Sequence, residues 1–148
     1  MREIKFRAWD IQRKLIFGVK CLVSYKYQHP QTDKEDFLCA YDNRGCGGNI
    51  NTNVILMQFT GLKDKNGKEI YEGDRIAYKS ELENSVTGNI YWSDIRLQWV
   101  FALDEKYQDL RPFELYKLTK NIEIVGNIYE SPEEYEDDRP SAIDMALS

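Results

Sequence analysis

The chain has 148 residues, of which 42% are hydrophobic and 13% aromatic; such a chain can bury a core, and this composition excludes intrinsic disorder. No apolar run approaches the roughly 20 residues that a membrane-spanning helix needs, and the N-terminus lacks the apolar core of a secretion signal. The formal net charge is −5, but residues 130–148 alone carry seven acidic side chains and one basic side chain, so the rest of the chain is nearly neutral and would not attract nucleic acid by its overall field.

The first predicted element is a strand at the N-terminus. Residues 3–9 alternate polar and apolar side chains, which is the period of a half-buried strand. This pattern predicts that Ile4 and Phe6 face the core. Lys5 and Arg7 are expected on the opposite, solvent-facing side.

Further short strands follow along the chain, separated by turn residues. We predict them at residues 15–19, 21–27, 37–41, 54–59, 75–78, 88–92, 97–103 and 122–129. Residues 42–53, rich in Asn and Gly, predict an irregular loop, and Asn66-Gly67 predicts a tight turn. Residues 113–118 predict a strand or one turn of helix, and Gly126 predicts a bulge.

The C-terminal segment begins with a helix-start signal. Ser131 can act as the N-cap, Pro132 suits the first helical position, and Glu134 completes a capping box. We therefore expect a short helix followed by an acidic tail. Short strands at about ten-residue spacing, with no long amphipathic helix, indicate an all-β protein. Five strands within residues 74–129 are about what a small closed barrel requires.

Cysteine usage favours a reducing compartment. Cys21, Cys39 and Cys46 are odd in number and form no CxxC pair, so we expect free thiols in a cytoplasmic protein. Cys21 and Cys39 are interpreted as small apolar core residues, and Cys46 as an exposed loop thiol. Because His29 is the single histidine, no metal site is expected.

Three blocks of sequence stand out by their length and order. They are REIKFRAWD at residues 2–10, MQFTGLKDKNGKEIYEGD at 57–74, and IEIVGNIYE at 122–130 followed by Pro132. Together they resemble the YopX family of phage and prophage proteins over residues 1–135. The resemblance implies a mainly β, cytoplasmic protein of mobile-element origin whose C-terminal half is similar to an SH3-type barrel. It implies no activity and no catalytic residues.

These observations together predict one unit with three parts. Residues 1–59 form an N-terminal β segment, residues 60–130 an SH3-like small barrel, and residues 131–148 the short helix and tail. We interpret the three blocks as structural signatures, because their glycines set turns and their apolar residues are spaced to pack.

Side chains suited to catalysis are sparse. His29 is the one available histidine base, and no GxSxG, Walker A or GxGxxG motif occurs. Carboxylate pairs could be built from Asp64, Glu69, Glu72 and Asp74, but solvated loops and capped turns explain these acids as well. We therefore expect no enzyme, no catalytic residues and no cofactor.

The aromatic content indicates a protein-binding function. Tyr91, Trp92 and Trp99, with Tyr107 and Tyr116, are more rings than a small barrel can enclose, so some should form an exposed patch. The leading hypothesis is a non-enzymatic accessory protein that binds an unknown protein partner or self-associates through this patch.

Nucleic-acid binding is the alternative. Lys5, Arg7 and Trp9 on the first strand, with neighbouring Arg and Lys side chains, could form a modest basic and aromatic face. Such a face would contact the phosphates of a nucleic acid and stack on its nucleobases. A solvated strand face explains the same residues and is the favoured interpretation.

Overall fold

The computed structural model describes residues 3–27, 35–50, 52–79, 85–103 and 113–130. Within these ranges the chain is mainly β, as predicted. The strands are β1 (Phe6–Asp10), β2 (Leu15–Gly18), β3 (Cys21–Tyr27), β4 (Glu35–Tyr41), β5 (Gly47–Asn49), β6 (Val54–Lys63), β7 (Glu69–Tyr71), β8 (Asp74–Lys79), β9 (Ser85–Ser93), β10 (Gln98–Leu103), β11 (Phe113–Glu114) and β12 (Ile122–Asn127). Two 3-10 helices, Leu115–Lys117 and Thr119–Asn121, separate β11 from β12.

The strands form three antiparallel sheets. The first has the order β2-β1-β6-β7, the second β3-β4-β5, and the third β11-β10-β9-β8-β12. The five strands expected after residue 73 thus pair into one sheet. β6 runs through the predicted boundary between residues 59 and 60. The SH3-like barrel and the division into parts remain predictions.

Among the residues that the structure describes, two hydrophobic cores hold these sheets. The smaller core lies between the first two sheets, where Ala8, Ala40 and Val54 are buried. The larger core belongs mainly to the five-stranded sheet; its buried side chains are Ile70, Ile76, Ile90, Trp99, Phe101, Leu115 and Ile122. Ile70 comes from β7 of the first sheet, so the larger core also joins the two halves of the chain.

The first strand is buried on both of its faces. β1 lies between β2 and β6, and both Ala8 and its neighbour Trp9 are buried. The expectation of a half-buried strand was therefore wrong over residues 8–10, because Ala8 packs in the smaller core on one face and Trp9 stacks on Tyr129 on the other. Ile4, predicted to face the core, precedes the strand and is exposed.

The segment predicted as an irregular loop contains a strand. β5 pairs with β4, and Gly47 lies so close that a Cβ there would be 1.9 Å from the Ala40 carbonyl oxygen. Gly47 also has φ of +150°, which a side chain would strain. The glycines that indicated a loop instead allow this close strand pairing.

Several turn predictions are confirmed. Gly67 has φ of +80° in the turn after Asn66, and the β8–β12 register shifts between Ile124 and Gly126, as a bulge requires. Residues 113–118 contain both alternatives, a short strand and then a 3-10 turn. The helix predicted from Ser131, together with His29 and Tyr107, lies outside the described residues.

Candidate functional site

The β9–β10 hairpin carries one apolar face from the core to its tip. Trp92 pairs with Trp99, and Ile90 pairs with Phe101 two residues further from the tip, so all four side chains share one face. Phe101 and Ile90 are completely buried, whereas Trp92 is 37% exposed. Exposure of this face therefore increases toward the tip.

The two tryptophans pack edge to face. Their ring centroids are 5.3 Å apart at an interplanar angle of 75°, a favourable aromatic geometry. Trp99 is part of the larger core, and its buried indole Nε1 has no hydrogen-bond partner in the part of the chain described here. The buried Trp99 thus supports Trp92, the ring that reaches solvent.

The tip of the hairpin exposes two aliphatic side chains. Ile95 is 97% exposed and Leu97 is 73% exposed. Leu97 adopts φ of +52°, a left-handed conformation that costs an ordinary residue roughly 1–2 kcal/mol. The turn is closed by the Arg96 backbone N–H, which donates to Ser93 Oγ at 3.2 Å. Asp94 and Arg96 give the tip no net charge.

Two further aromatic side chains predicted for an exposed patch, Tyr91 and Tyr116, lie at the surface. Tyr91 lies on the opposite hairpin face from Trp92, since it pairs with Val100, and it is partly exposed. Tyr116 is exposed on its 3-10 helix, with Lys117 Nζ 5.6 Å from its ring centroid. The expectation of exposed aromatics therefore fits Tyr91, Trp92 and Tyr116, whereas Trp99 is buried.

The predicted basic face of the first strand is occupied by internal contacts. Arg7 forms an ion pair with the buried carboxylate of Asp74 and lies 4.6 Å from the Tyr71 ring centroid. Lys5 forms ion pairs with Glu69 and Glu3 and lies over a phenylalanine ring of β6. The expected solvated face was wrong at Arg7, because Asp74 and Tyr71 cover its guanidinium, and a covered charge needs a charged or polar partner.

Trp9 joins this region to the end of β12. Its ring stacks on Tyr129 with centroids 6.3 Å apart and planes at 21°. Gly73 has φ of +79°, and a Cβ there would meet the Tyr129 ring at 3.2 Å. The three sequence blocks, at residues 2–10, 57–74 and 122–130, therefore meet in space.

Comparison with known proteins covers most of the chain, including parts of all three blocks. A family model described as YopX protein matches residues 5–136. The chain belongs to the YopX family. It is also similar to the crystal structure of protein EF1440 from Enterococcus faecalis, with 27% identity, a TM-score of 0.55, and coverage of 92% of this chain and 100% of that one. No curated protein matches the chain.

The buried acids of this YopX-family protein act as turn caps. Asp64 accepts backbone N–H groups from Asn66, Lys68 and, across the fold, Ile124. Burial raises the pKa of Asp64, but these donors outweigh it and hold the pKa below the usual 3.8. Asp10 accepts the N–H groups of the next turn in the same way, which lowers its pKa as well.

Two further acids have pKa values shifted in the opposite direction. Burial raises the pKa of Asp74, although Arg7 and the Tyr71 N–H partly offset it. Burial also raises the pKa of Glu72, which accepts one weak N–H contact from Gln58 at 3.4 Å. The expected turn-closing role of Asp74 is confirmed, since Tyr71 N–H donates to its Oδ2 at 2.8 Å.

Asn127 and Asp42, for which no role was predicted, hold two other turns. Asn127 Oδ1 accepts the N–H groups of Tyr129 and Glu130 at 3.0 and 2.9 Å. The sequence signal for this role is an Asn at the end of a predicted strand and directly before a turn. Asp42 similarly accepts N–H groups from Arg44 and Cys46.

The cysteines lie apart from any candidate chemistry. Cys39 is buried, as expected of an apolar core residue, but Cys21 is exposed and Cys46 is half-buried. The expectation for Cys21 was wrong because β3 is an edge strand. In the described ranges, no three His, Cys, Asp or Glu side chains could hold a metal ion, and no helix is long and apolar enough to span a membrane.

A polar depression lies beside Cys46. Its volume is about 390 Å³, and its lining residues are Asp10, Gln12, Arg13, Gly45, Cys46, Gly47 and Asn53. The Asp10 carboxylate there already accepts the Arg13 Nε–H at 2.7 Å as well as its backbone N–H donors. The acid of this depression is therefore engaged in holding the β1–β2 turn.

Proposed function

We propose that this YopX-family protein is a non-enzymatic accessory protein of a phage or prophage, acting in the cytoplasm by binding another protein through its β9–β10 hairpin tip. The observation that carries this proposal is the exposure of Ile95 and Leu97 at the tip, with Leu97 in a left-handed conformation. Trp92, two residues before Asp94 of the turn, is a further exposed apolar side chain near the tip.

The conformation of Leu97 at the tip destabilises the protein when no partner is bound. Asn or Gly would adopt the left-handed conformation of Leu97 with less strain. Burial of an aliphatic side chain in a partner contributes roughly 1.5–3 kcal/mol. A strained, exposed Leu therefore has a physical use in a complex that it lacks in the isolated chain.

The charge of the tip favours a protein as the partner. Asp94 and Arg96 cancel, whereas nucleic-acid binding depends on an excess of basic side chains that contact phosphates. The partner that fits is a protein with an apolar groove, into which Ile95 and Leu97 insert and against which Trp92 packs as an anchor.

The SH3-like barrel remains part of this proposal. Closure around residues 60–130 is supported by two contacts between the β6–β7 turn and β12. Lys65 N–H donates to Ile122 O at 3.1 Å, and Ile124 N–H donates to Asp64 Oδ2 at 3.1 Å. These contacts link the turn after β6 to an edge strand of the five-stranded sheet.

The experiment compares three forms of the full chain as bait in host cells that carry the element. The first is the wild type, the second carries Ile95→Ser with Leu97→Asn, and the third carries Val125→Ser. Val125 is an exposed aliphatic residue on β12, so it controls for the loss of exposed apolar surface. The captured protein is then purified and its affinity for each form is measured.

We expect the tip variant to bind at least tenfold more weakly than the wild type, because two buried aliphatic contacts are lost. The Val125→Ser form should bind as the wild type does. Equal affinity of the tip variant for the captured protein would overturn the proposal. Tip-dependent sedimentation with anionic lipid vesicles, in place of a protein, would overturn it as well.

A further inference from the structure

One sheet edge differs from the others in length and regularity. The outer strands of the three sheets are β2, β7, β3, β5, β11 and β12. β2 has four residues, β7 and β5 have three, and β11 has two, while the longer β12 is interrupted by its bulge. β3 has seven residues and pairs with β4 without any register shift.

The hydrogen-bonding direction of β3 follows from its neighbours. Ile50 N–H donates to Leu38 O at 2.9 Å, so the even-numbered residues of β4 bond to β5. The odd-numbered residues of β4 therefore bond to β3, and in the observed register they face odd-numbered β3 residues such as Val23. It follows that the N–H and C=O groups of Leu22 and Ser24 point away from the sheet.

This edge lacks the usual protection of an edge strand. Cys21, Leu22 and Ser24 are exposed, and β3 contains no proline and a single charged residue, Lys26. Proline, charged side chains, bulges or a short strand normally prevent an exposed edge from pairing with another chain. β3 has only the one lysine, and over residues 21–24, whose exposure the structure describes, its edge can accept another strand.

We propose that two copies of this chain associate by pairing their β3 strands antiparallel, about a twofold axis that passes through Ser24. Ser24 then faces Ser24 of the second copy, and Leu22 faces Lys26 of the second copy. Each of these pairs is of the hydrogen-bonded kind, because the even-numbered residues carry the outward groups. The result is a continuous six-stranded sheet with closed symmetry, the commonest form of homo-oligomer.

The sequence of β3 fits a second copy of itself. A twofold axis at Ser24 separates the two lysines toward opposite ends and places each against a leucine, so no like charges face each other. An axis moved to Val23 or Tyr25 would leave fewer outward residues paired. Leu22 and Leu38, which are 40% and 45% exposed, lie on the same face as buried Ala40; the second strand would extend that face beside them.

The first test measures the mass of the full chain in solution by light scattering over a range of concentrations. We expect the wild type to approach twice the 17.4 kDa monomer mass. Ser24→Pro removes the outward N–H but no bond to β4, and it should be monomeric with an unchanged circular dichroism spectrum. Ser24→Ala keeps the N–H and should remain dimeric. Leu22→Lys places one lysine opposite Lys26 in each of the two symmetric pairs, and this like-charge contact should weaken the dimer without introducing a proline.

The second test uses a thiol cross-link that depends on the register. Residues facing each other in a hydrogen-bonded pair have Cα atoms about 5.5 Å apart, a separation that a short bifunctional maleimide spans without the strain of a direct disulfide. Ser24→Cys should therefore form a covalent dimer with this reagent. The wild type is the matched control, because its exposed Cys21 faces position 27 of the second copy and should not cross-link.

A monomeric wild type at every concentration would overturn the proposal. So would a Ser24→Pro form that folds and still dimerises, or a Ser24→Cys form that fails to cross-link. A further outcome would also overturn self-pairing: the wild type is monomeric, and the wild-type bait captures a different protein that the Ser24→Pro bait no longer captures. The β3 edge would then be the binding site of that protein. The Ile95→Ser, Leu97→Asn form should remain dimeric, so this test is independent of the hairpin proposal.

Discussion

Arg7 on β1 forms an ion pair with Asp74 at the start of β8, across 67 residues of sequence. The pair connects the central strand of the first sheet with a strand of the five-stranded sheet. Asp74 is almost completely buried and also closes the turn at Tyr71. One carboxylate therefore fixes both a local turn and the junction between two sheets.

Asp74→Asn should lower the free energy of unfolding by about 3 kcal/mol, because it leaves the mostly buried Arg7 charge without its partner. Asparagine keeps the shape and can still accept the Tyr71 N–H. Urea denaturation of Asp74→Asn, Arg7→Met and the double variant measures the coupling. The double variant should be less destabilised than the sum of the two single variants.

Glu123→Gln provides the matched control for this ion pair. It breaks the exposed pair that Lys65 and Glu123 form at 2.8 Å, and we expect a loss below about 1 kcal/mol because exposed pairs contribute little. A loss of equal size in Asp74→Asn and Glu123→Gln would contradict the assignment of Asp74 as the junction between the sheets.

Asp64→Asn should destabilise the protein by about 1–3 kcal/mol at neutral pH, since an amide cannot accept all three N–H donors. The pKa of Asp64 lies below its usual 3.8 in the folded state, so its stabilisation is present above pH 3.8 and is lost as the pH falls through the folded pKa. Urea midpoints of the wild type and variant should therefore converge below pH 4. A constant difference between them at low pH would contradict the charged role of Asp64.

Glu72→Gln should have the opposite pH dependence. Burial holds the pKa of Glu72 above its usual 4.5, so at neutral pH the folded state carries an unfavourably desolvated carboxylate. We expect the variant to be more stable by about 0.5 kcal/mol at pH 7. This gain should vanish as the pH falls through the raised pKa and the wild-type carboxyl becomes protonated. If Glu72→Gln were less stable than the wild type at pH 7, the folded state would stabilise the charged Glu72 carboxylate, and this prediction would be wrong.

Leu97→Asn should raise the thermal stability of the isolated protein, by about 1 kcal/mol in free energy, because Asn tolerates the left-handed conformation better. Leu97→Ala retains the strain and serves as the control, with little change. Calorimetry of both variants measures the difference. Equal stability of the Asn and Ala variants would indicate that φ at this position is not strained.

Local features of this chain were predictable because they depend on few neighbouring residues. The turn at Gly67, the bulge at Gly126 and the cap at Asp74 follow from backbone freedom and side-chain acceptors close in sequence. The strands were found by their apolar content and spacing. β5 was missed because its glycines have no pattern of side chains, and its pairing depends on close approach to β4.

The candidate surfaces were less predictable because exposure is a property of the assembled sheets. Trp92 and Trp99 are alike in sequence and face each other across the hairpin, yet only Trp92 reaches solvent, since Trp99 on β10 packs into the larger core and Trp92 on β9 does not. Arg7 and Trp9 have the composition of a nucleic-acid face. Trp9 is buried and Arg7 is mostly covered, because their side chains meet Tyr129 and Asp74.

The sequence by itself determined that this is a mainly β protein of the YopX family, with its turns in the right places and a nearly neutral body. Those properties are encoded in spacing, turn chemistry and composition. The tertiary structure decided which side chains are internal and which are available, because residues far apart in sequence cover one another only in the assembled fold. Contacts with Ala40, Asp74 and Tyr129 cover most of β1, while the β9–β10 tip and the outward edge of β3 stay at the surface.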